Sequence, residues 1–586
     1  MRRAYLSLVM LLCIASFVAA AEPSPVADAA QQGNKALVRT LILQKANINA
    51  SQADGMTGLH WAAMNGDVAI AQMLIDAKAD LNPLTRLGSY TPLYLAAQNG
   101  NSSVADILLR AGADLNRTTS TGVTVLMAAA ASGSTQMVDA LLTKEADVNV
   151  RENVRGQTAL MFAAASNRGD VIRLLIKRGA NIETVSKAVD PGCGSTFARS
   201  GCGEDDSKGL YEKPTEGQLN ELIEPAVVKA DKPKDPAAPK ADEAPVSPEE
   251  AAIKTRLAEL RSAVNKLASV IDQLEKRTAE PARRRGATIM GGNTALLLAA
   301  RDGSMDAIRA LIEGGADINN VGTGEKMSPL VIAIVNGHFD SAKYFLEKNA
   351  DPNLSNIQGL TALYAVIDMQ WAPYAWRPQP IASQEQTSHL DLMRMLLEHG
   401  ANPNVRTAKR VWFRSLPNDS SWVDPVGATP FWRAAQAIDV PAMRLLVKAG
   451  ADPKLPTFDG VTPLMVAAGL GWAPNFSRNA PDAWIEAVKY CLELGIDVNA
   501  KSQKGYTALH GTAFLGFNDL INLLVEKGAD AKAVAKDKNT VVDMANGPFP
   551  HSVVHPETIA LLEKLGATNS NNCRADTCLI VTKKKE

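Results

Sequence analysis

Three groups of side chains in this sequence have types and spacings that could do chemistry. The first is cysteine. Five cysteines follow the leader, and the close pairs Cys193/Cys202 and Cys573/Cys578 are expected to form two local disulfides in an oxidising compartment. Cys491, beside Val488 and Leu492, reads as a buried free thiol. Neither pair has zinc-type spacing or a nearby His, and no Cys-x-x-Cys-His haem motif occurs. The second group is His551 and His555, four apart as metal ligands on a helix would be. Pro550 and Pro556 flank them, however, and the residue before a proline is pushed out of helical geometry, so no metal is expected. The third group is aromatic. Seven of the eight Trp lie between residues 371 and 484, interspersed with Tyr374, Arg377, Arg410 and Arg414. Trp, Tyr and Arg dominate binding hot spots because they bury large area and keep a polar handle. The sequence contains no phosphate loop, no Gly-x-Gly-x-x-Gly and no Gly-x-Ser-x-Gly. The expected chemistry is therefore recognition, with no catalytic residue and no cofactor.

Composition narrows the class further. The 586 residues carry 61 Lys+Arg against 62 Asp+Glu, a balance with no electrostatic footprint for nucleic acid. Hydrophobic residues at 46% and charged residues at 21% are ordinary globular usage. At the N-terminus Arg2 and Arg3 precede an apolar run from Leu6 to Val18, and Ala19-Ala20-Ala21 follow. This is the pattern of a secretory signal peptide over residues 1–21, and the run is too short to span a bilayer. Bulky Leu11-Leu12 argue against lipoprotein processing at Cys13. The mature chain is expected to start near Glu22 and to be periplasmic or secreted.

The elements that position these residues are set by a period. Short Thr-Pro-Leu-like starts occur at Ser24, Thr57, Thr91, Thr124, Thr158, Thr294, Ser328, Thr361, Thr429, Thr462, Thr507 and Thr540, with most steps 33 or 34 residues. An Ala-Asp-x-Asn-like signature keeps phase with them, as at Ala79, Ala113, Ala316 and Ala350. Thr or Ser can cap an orphan amide, and a following Pro suits the first helical position. Leu-x-x-Ala-Ala then gives a short helix, a Gly such as Gly66 or Gly100 stops it, and a second apolar helix follows. Asp in Ala-Asp-x-Asn recurs with the period, which marks it as turn chemistry and not as an active site. Thr57-Gly58-Leu59-His60 and Thr507-Ala508-Leu509-His510 are close to the start motif of the ankyrin repeat, which this sequence resembles over residues 24–187 and 291–568. With the leader, the resemblance is to an exported bacterial ankyrin-repeat protein. It implies an all-α solenoid of about twelve helix-turn-helix units with β-hairpin-like fingers. It also implies a scaffold that binds another protein through finger tips and the inner helix face.

Breaks in the period locate the specialisation. Extra residues fall between the two helices of the units at Thr361, Thr462 and Thr540, alternate units whose insertions should line one edge. Trp371-Ala372-Pro373 and Trp472-Ala473-Pro474 each begin ten residues after the unit's Thr, and an enlarged finger is expected near 408–424. These loops and their neighbours assign partner binding to Trp371, Tyr374, Trp376, Arg377, Trp412, Trp422, Trp432, Trp472 and Trp484. The same aromatic cluster could instead stack on a small ligand or a glycan.

The largest break, 188–290, contains the Cys193/Cys202 loop, a stretch at 213–248 with seven Pro, and a candidate helix opening at Ser247-Pro248-Glu249-Glu250. Ile253, Leu257, Leu260, Val264, Leu267, Ile271 and Leu274 follow at heptad spacing. This stripe over 253–274 is compatible with self-association, with docking on the chain's own solenoid, or with another partner. Residues 569–586 form a Cys-containing tail.

Overall fold

The computed structural model describes residues 24–189, 290–372, 385–411, 423–472, 477–548 and 552–573. The chain divides into two units, one formed by residues 1–187 with 291–586 and the other by 188–290. In the first unit the described residues form twelve helix pairs. The pairs before the large insert are α1 (Pro25–Gln31) and α2 (Lys35–Leu43), α3 (Gly58–Asn65) and α4 (Val68–Asp76), α5 (Pro92–Gln98) and α6 (Ser102–Ala111), α7 (Val125–Ser132) and α8 (Thr135–Thr143), and α9 (Ala159–Ala165) and α10 (Gly169–Lys177). After it come α11 (Ala295–Asp302) and α12 (Met305–Glu313), α13 (Pro329–Val335) and α14 (Phe339–Glu347), α15 (Ala362–Gln370) and α16 (His389–Glu398), and α17 (Pro430–Gln436) and α18 (Val440–Lys448). The last three pairs are α19 (Pro463–Ala467) and α20 (Trp484–Glu493), α21 (Ala508–Leu515) and α22 (Asn518–Glu526), and α23 (Val541–Ala545) and α24 (Pro556–Lys564). This is the all-α repeat solenoid that the period predicts.

Local chemistry explains each unit. Thr91 Oγ1 accepts from the Tyr94 amide at 3.1 Å, Thr294 from Leu297 at 3.3 Å and Thr429 from Trp432 at 3.1 Å, with Pro92 and Pro430 at the first helical positions. The first helix of each pair lies inside the stack. Its paired small residues, such as Ala62/Ala63, Ala129/Ala130, Ala299/Ala300 and Ala434/Ala435, are fully buried. Small side chains let successive inner helices approach, and each packs on the next. The turn after them is left-handed, usually at Gly: Gly66 has φ +70° and its added Cβ would lie 2.8 Å from the Asn101 side chain.

Turn chemistry also joins the units. The Asp of Ala-Asp-x-Asn accepts from the amide two residues on, as in Asp80 to Asn82 at 2.9 Å. The Asn accepts from the next unit's Asp amide: Asn82 from Asp114 at 2.8 Å, Asn319 from Asp351 at 2.8 Å and Asn404 from Asp452 at 2.7 Å. At the finger tips a backbone bond runs to the preceding tip, as in Arg86 to Asp54, Asn153 to Thr121 and Lys536 to Lys504. The expected hairpin character is slight among the described residues. Successive fingers pair mostly through single backbone hydrogen bonds, and strand-like pairing among the described residues is confined to the isolated bridge Val534–Thr540 and one two-residue pair at the fifth finger.

The large insert leaves from the tip of the fifth finger. Ser186 N–H donates to Asn293 O at 2.9 Å, closing the finger as Glu152 N–H to Gln157 O does one unit earlier. The two-residue strands β1 (Ala188–Val189) and β2 (Met290–Gly291) then pair where the insert begins and ends. Below this tip α9 packs on α11 and α10 on α12 as sequence neighbours would. The expected heptad helix, the Pro-rich stretch, Cys193 and Cys202 lie outside the described residues. At the other end, Asp543 is fully buried and accepts from Thr540, from Ser570 N and Oγ, and from Asn572 N, which fastens residues 570–572 onto the last unit. Among the described residues no helix is long and apolar enough to cross a membrane.

Candidate functional site

The ninth unit carries the least ordinary residues of the stack. Its inner-to-outer turn is Ala437-Ile438-Asp439. Ile438 has φ +48°, a left-handed conformation that the corresponding Gly66, Gly100, Gly303 and Gly516 adopt freely. For a β-branched residue this costs roughly 1–2 kcal/mol. The turn is held from both sides. From the eighth unit, Trp371 Nε1 donates to Asp439 Oδ2 at 2.7 Å, and His389 Nε2 lies 3.0 Å from the same oxygen. From the tenth, Ala480 N–H donates to Ala437 O at 2.9 Å. Strain retained in a fully buried, doubly clamped turn marks the place as one to examine for function.

Behind the turn, Arg433 projects from α17 among apolar neighbours. Its Nε donates to Asp368 Oδ1 at 2.8 Å and its Nη2 to the Trp371 carbonyl at 2.8 Å. The two side chains are 7% and 9% exposed, the most deeply buried ion pair among the described residues. Asp368 Oδ2 has no hydrogen-bond partner. Above them, Trp371, Arg433, Gln436, Val466, Leu470, Gly471, Trp472, Ser477 and Arg478 line a cavity of about 50 Å³. Trp371 comes from the insertion of the eighth unit and Trp472 from that of the tenth, so the two alike insertions meet across the ninth. Trp484 opens α20 and meets Trp472 edge to face at 5.3 Å, which braces that ring.

The other aromatic expectations divide. Tyr374, Trp376, Arg377, Trp412 and Trp422 lie outside the described residues. Trp432 is corrected. It is fully buried, and its Nε1 donates to the Val461 carbonyl at 2.9 Å. His60, at the same place in its own unit, bonds Tyr90 O through Nε2 at 3.0 Å. Trp432 thus replaces a bridging histidine between units and presents nothing to a partner.

Cys491 is a buried free cysteine. Burial pushes its thiol above the ordinary value, which leaves it unreactive. Cys573 is not among the free thiols, while its expected partner Cys578 lies outside the described residues. His555 caps α24 from outside the helix and His551 is not described. Among the described residues no group of three or more His, Cys, Asp or Glu is arranged to hold a metal.

Sequence reasoning missed Asp368, His389, Arg433 and Asp439. Only Arg433 had a readable signal. It stands four residues after the unit's Thr, where other units carry Trp61, Leu95, Phe162, Leu298 and Ile332.

The buried groups give the chain a defined acid response. Burial lowers His510 to about 4 from 6.5, because the charged ring is poorly solvated. Burial alone would raise Asp439, but its bonds from His389, Trp371 and Ala442 outweigh that and hold it below 3.8. A His whose folded value is depressed withdraws stability as pH falls from 6.5 to about 4, by roughly 3 kcal/mol at 1.36 kcal/mol per unit. A depressed Asp contributes fully above 3.8 and loses its contribution as pH falls through its lowered folded value. Thermal melts followed by circular dichroism should therefore decline in two stages. His510→Gln should flatten the upper stage, and Asp439→Asn should diminish the lower one.

Comparison with known proteins agrees with this architecture. A family model described as "Ankyrin repeats (3 copies)" matches residues 26–119, 112–186 and 262–356, and one described as "Ankyrin repeat" matches 358–408. Curated relatives include alpha-latrocrustotoxin-Lt1a of Latrodectus tredecimguttatus, 25% identical over 38% of this chain and 13% of that protein. BCL-6 corepressor-like protein 1 of Homo sapiens is 34% identical over 23% of this chain and 6% of its own length. Ankyrin repeat and SAM domain-containing protein 6 of Danio rerio is 27% identical over 27% and 21%. Relatives whose names carry a palmitoyltransferase or an E3 ubiquitin-protein ligase activity also match, over 36% and 41% of their lengths. The chain thus spans less than half of each of these relatives. Matches over more than half of this chain, which outside 262–289 fall on the described helix pairs and their fingers, make it a member of the ankyrin repeat family, whose units are protein-interaction modules.

Proposed function

We propose that this chain is a non-catalytic scaffold of an exported compartment, and that it captures a partner protein on the surface around the ninth unit. The observation that carries this reading is the meeting of Trp371 and Trp472, from insertions two units apart, at one cavity. A plain repeat array needs neither insertion. Half-buried Trp rings braced by Asp439 and Trp484 are rigid anchors, and rigidity limits the entropy lost on binding. The expected leader at 1–21 supports export, and the paired cysteines Cys193/Cys202 and Cys573/Cys578 suit an oxidising compartment. The heptad stripe at 253–274 offers a route to self-association. Tyr374, Trp376, Arg377, Trp412 and Trp422 belong to the same proposed contact surface.

Capture from periplasmic extract on the immobilised chain should yield one protein in stoichiometric amount. Replacing Trp371, Trp412 and Trp472 by Ala should weaken that capture by a hundredfold or more, since hot-spot aromatics are each worth about 2–4 kcal/mol. Helical circular dichroism should persist in this variant. Undiminished capture would overturn the aromatic assignment, and N-terminal sequencing of the exported chain should begin near Glu22.

A further inference from the structure

The cavity over the ninth unit has a chemical preference. Both charged residues that line it, Arg433 and Arg478, are cationic, and no carboxylate lines it among the described residues. The Arg433 side chain is more than nine-tenths buried, yet only two of its five N–H groups are bonded, one to Asp368 Oδ1 and one to the Trp371 carbonyl. The bond to Asp368 is single, because the second carboxylate oxygen has no partner. A bidentate pair would have used two N–H groups on that carboxylate. The remaining N–H groups of a desolvated guanidinium call for an acceptor, and a charged acceptor gives the stronger bond.

Size limits what can enter. About 50 Å³ is a third of the ~150 Å³ of a cavity that accommodates benzene. A terminal carboxylate on a short stem matches a recess of this size. The half-buried faces of Trp371 and Trp472 supply apolar walls for the stem. Gln436 adds an amide donor to the lining.

We propose that this cavity binds a carboxylate, and that its occupant is an acidic side chain of the partner protein. The source of the carboxylate rests on the scaffold reading above; the preference for a carboxylate does not. Arg433 supplies the charged N–H donors, and the two Trp rings exclude water from them. A buried charge-assisted bond of this kind sets the register of a larger interface more than its total affinity.

The full chain, titrated with N-acetyl-L-glutamate, should show saturable shifts of the Trp371 and Trp472 indole N–H resonances, with a Kd of about 1 mM for so small a probe. N-acetyl-L-glutamine should bind at least tenfold more weakly, and inorganic phosphate more weakly than the glutamate probe. Gln436→Glu places a competing carboxylate in the lining of the cavity and leaves both members of the buried pair in place. It should weaken N-acetyl-L-glutamate at least tenfold with its melting temperature unchanged. Equal binding of acid and amide, tighter binding of phosphate, or full binding to Gln436→Glu would overturn the proposal. Protein capture that persists while the glutamate probe fails to bind would sink the carboxylate site alone. Probe binding without any protein capture would leave the site standing and sink the scaffold reading.

Discussion

Replacing Trp432 by Ala should destabilise the chain by about 3–5 kcal/mol, the range for deleting a fully buried Trp or Phe. Two losses add. The side chain is the largest fully buried one among the described residues, so its removal leaves a cavity between units. The Val461 carbonyl also loses the indole N–H that reaches it from the preceding unit. Trp432→His should recover part of this stability, because the imidazole at the same place in the second unit makes the equivalent bond to Tyr90. Urea denaturation read by circular dichroism checks both variants. If Trp432→Ala melted like the parent and lost only partner capture, the buried placement would be wrong.

The second large effect concerns Arg433 and Asp368. Arg433→Met should cost about 3–5 kcal/mol, since it leaves the Asp368 carboxylate buried with neither oxygen satisfied. Asp368→Leu should cost a similar amount by stranding the guanidinium. The double replacement should lie far closer to the parent than the sum of the two, because a buried ion pair repays its own desolvation only in part. The double-mutant cycle reports this as a coupling energy of several kcal/mol. Independent, additive effects would show that the two side chains do not depend on each other. The stable double variant should also lose the glutamate probe, separating the cost in folding from the cost in binding.

The repeat was legible because its determinants are local and recur. A Thr cap, a left-handed Gly and an Asp that accepts two residues on are each specified within four residues, then restated about every 33. The candidate site was half legible. Its two Trp could be found because both stand ten residues after a unit's Thr. Their partners could not, because Trp371 and Asp439 are 68 residues apart and His389 and Asp439 are 50 apart. Their meeting depends on how three units stack. Asp368 sits seven residues after Thr361, a column that holds Met64, Gln98, Ala131 and Arg301 elsewhere and therefore flags nothing. Trp432 was misread for the opposite reason. Its column, three residues after Thr, is the His column of the repeat motif, where His60 and His510 are buried, and a Trp there belongs to the core and not to the surface aromatics.

Ser186 and Asn293 meet at a single finger although 106 residues separate them along the chain. Closing such a loop grows only with the logarithm of its length. Against a tip of about four residues, the added entropic cost is on the order of 3 kcal/mol. A lineage could therefore lengthen, trim or exchange this cargo without renegotiating the packing beneath it, and the fifth finger is a natural grafting point for an engineered domain.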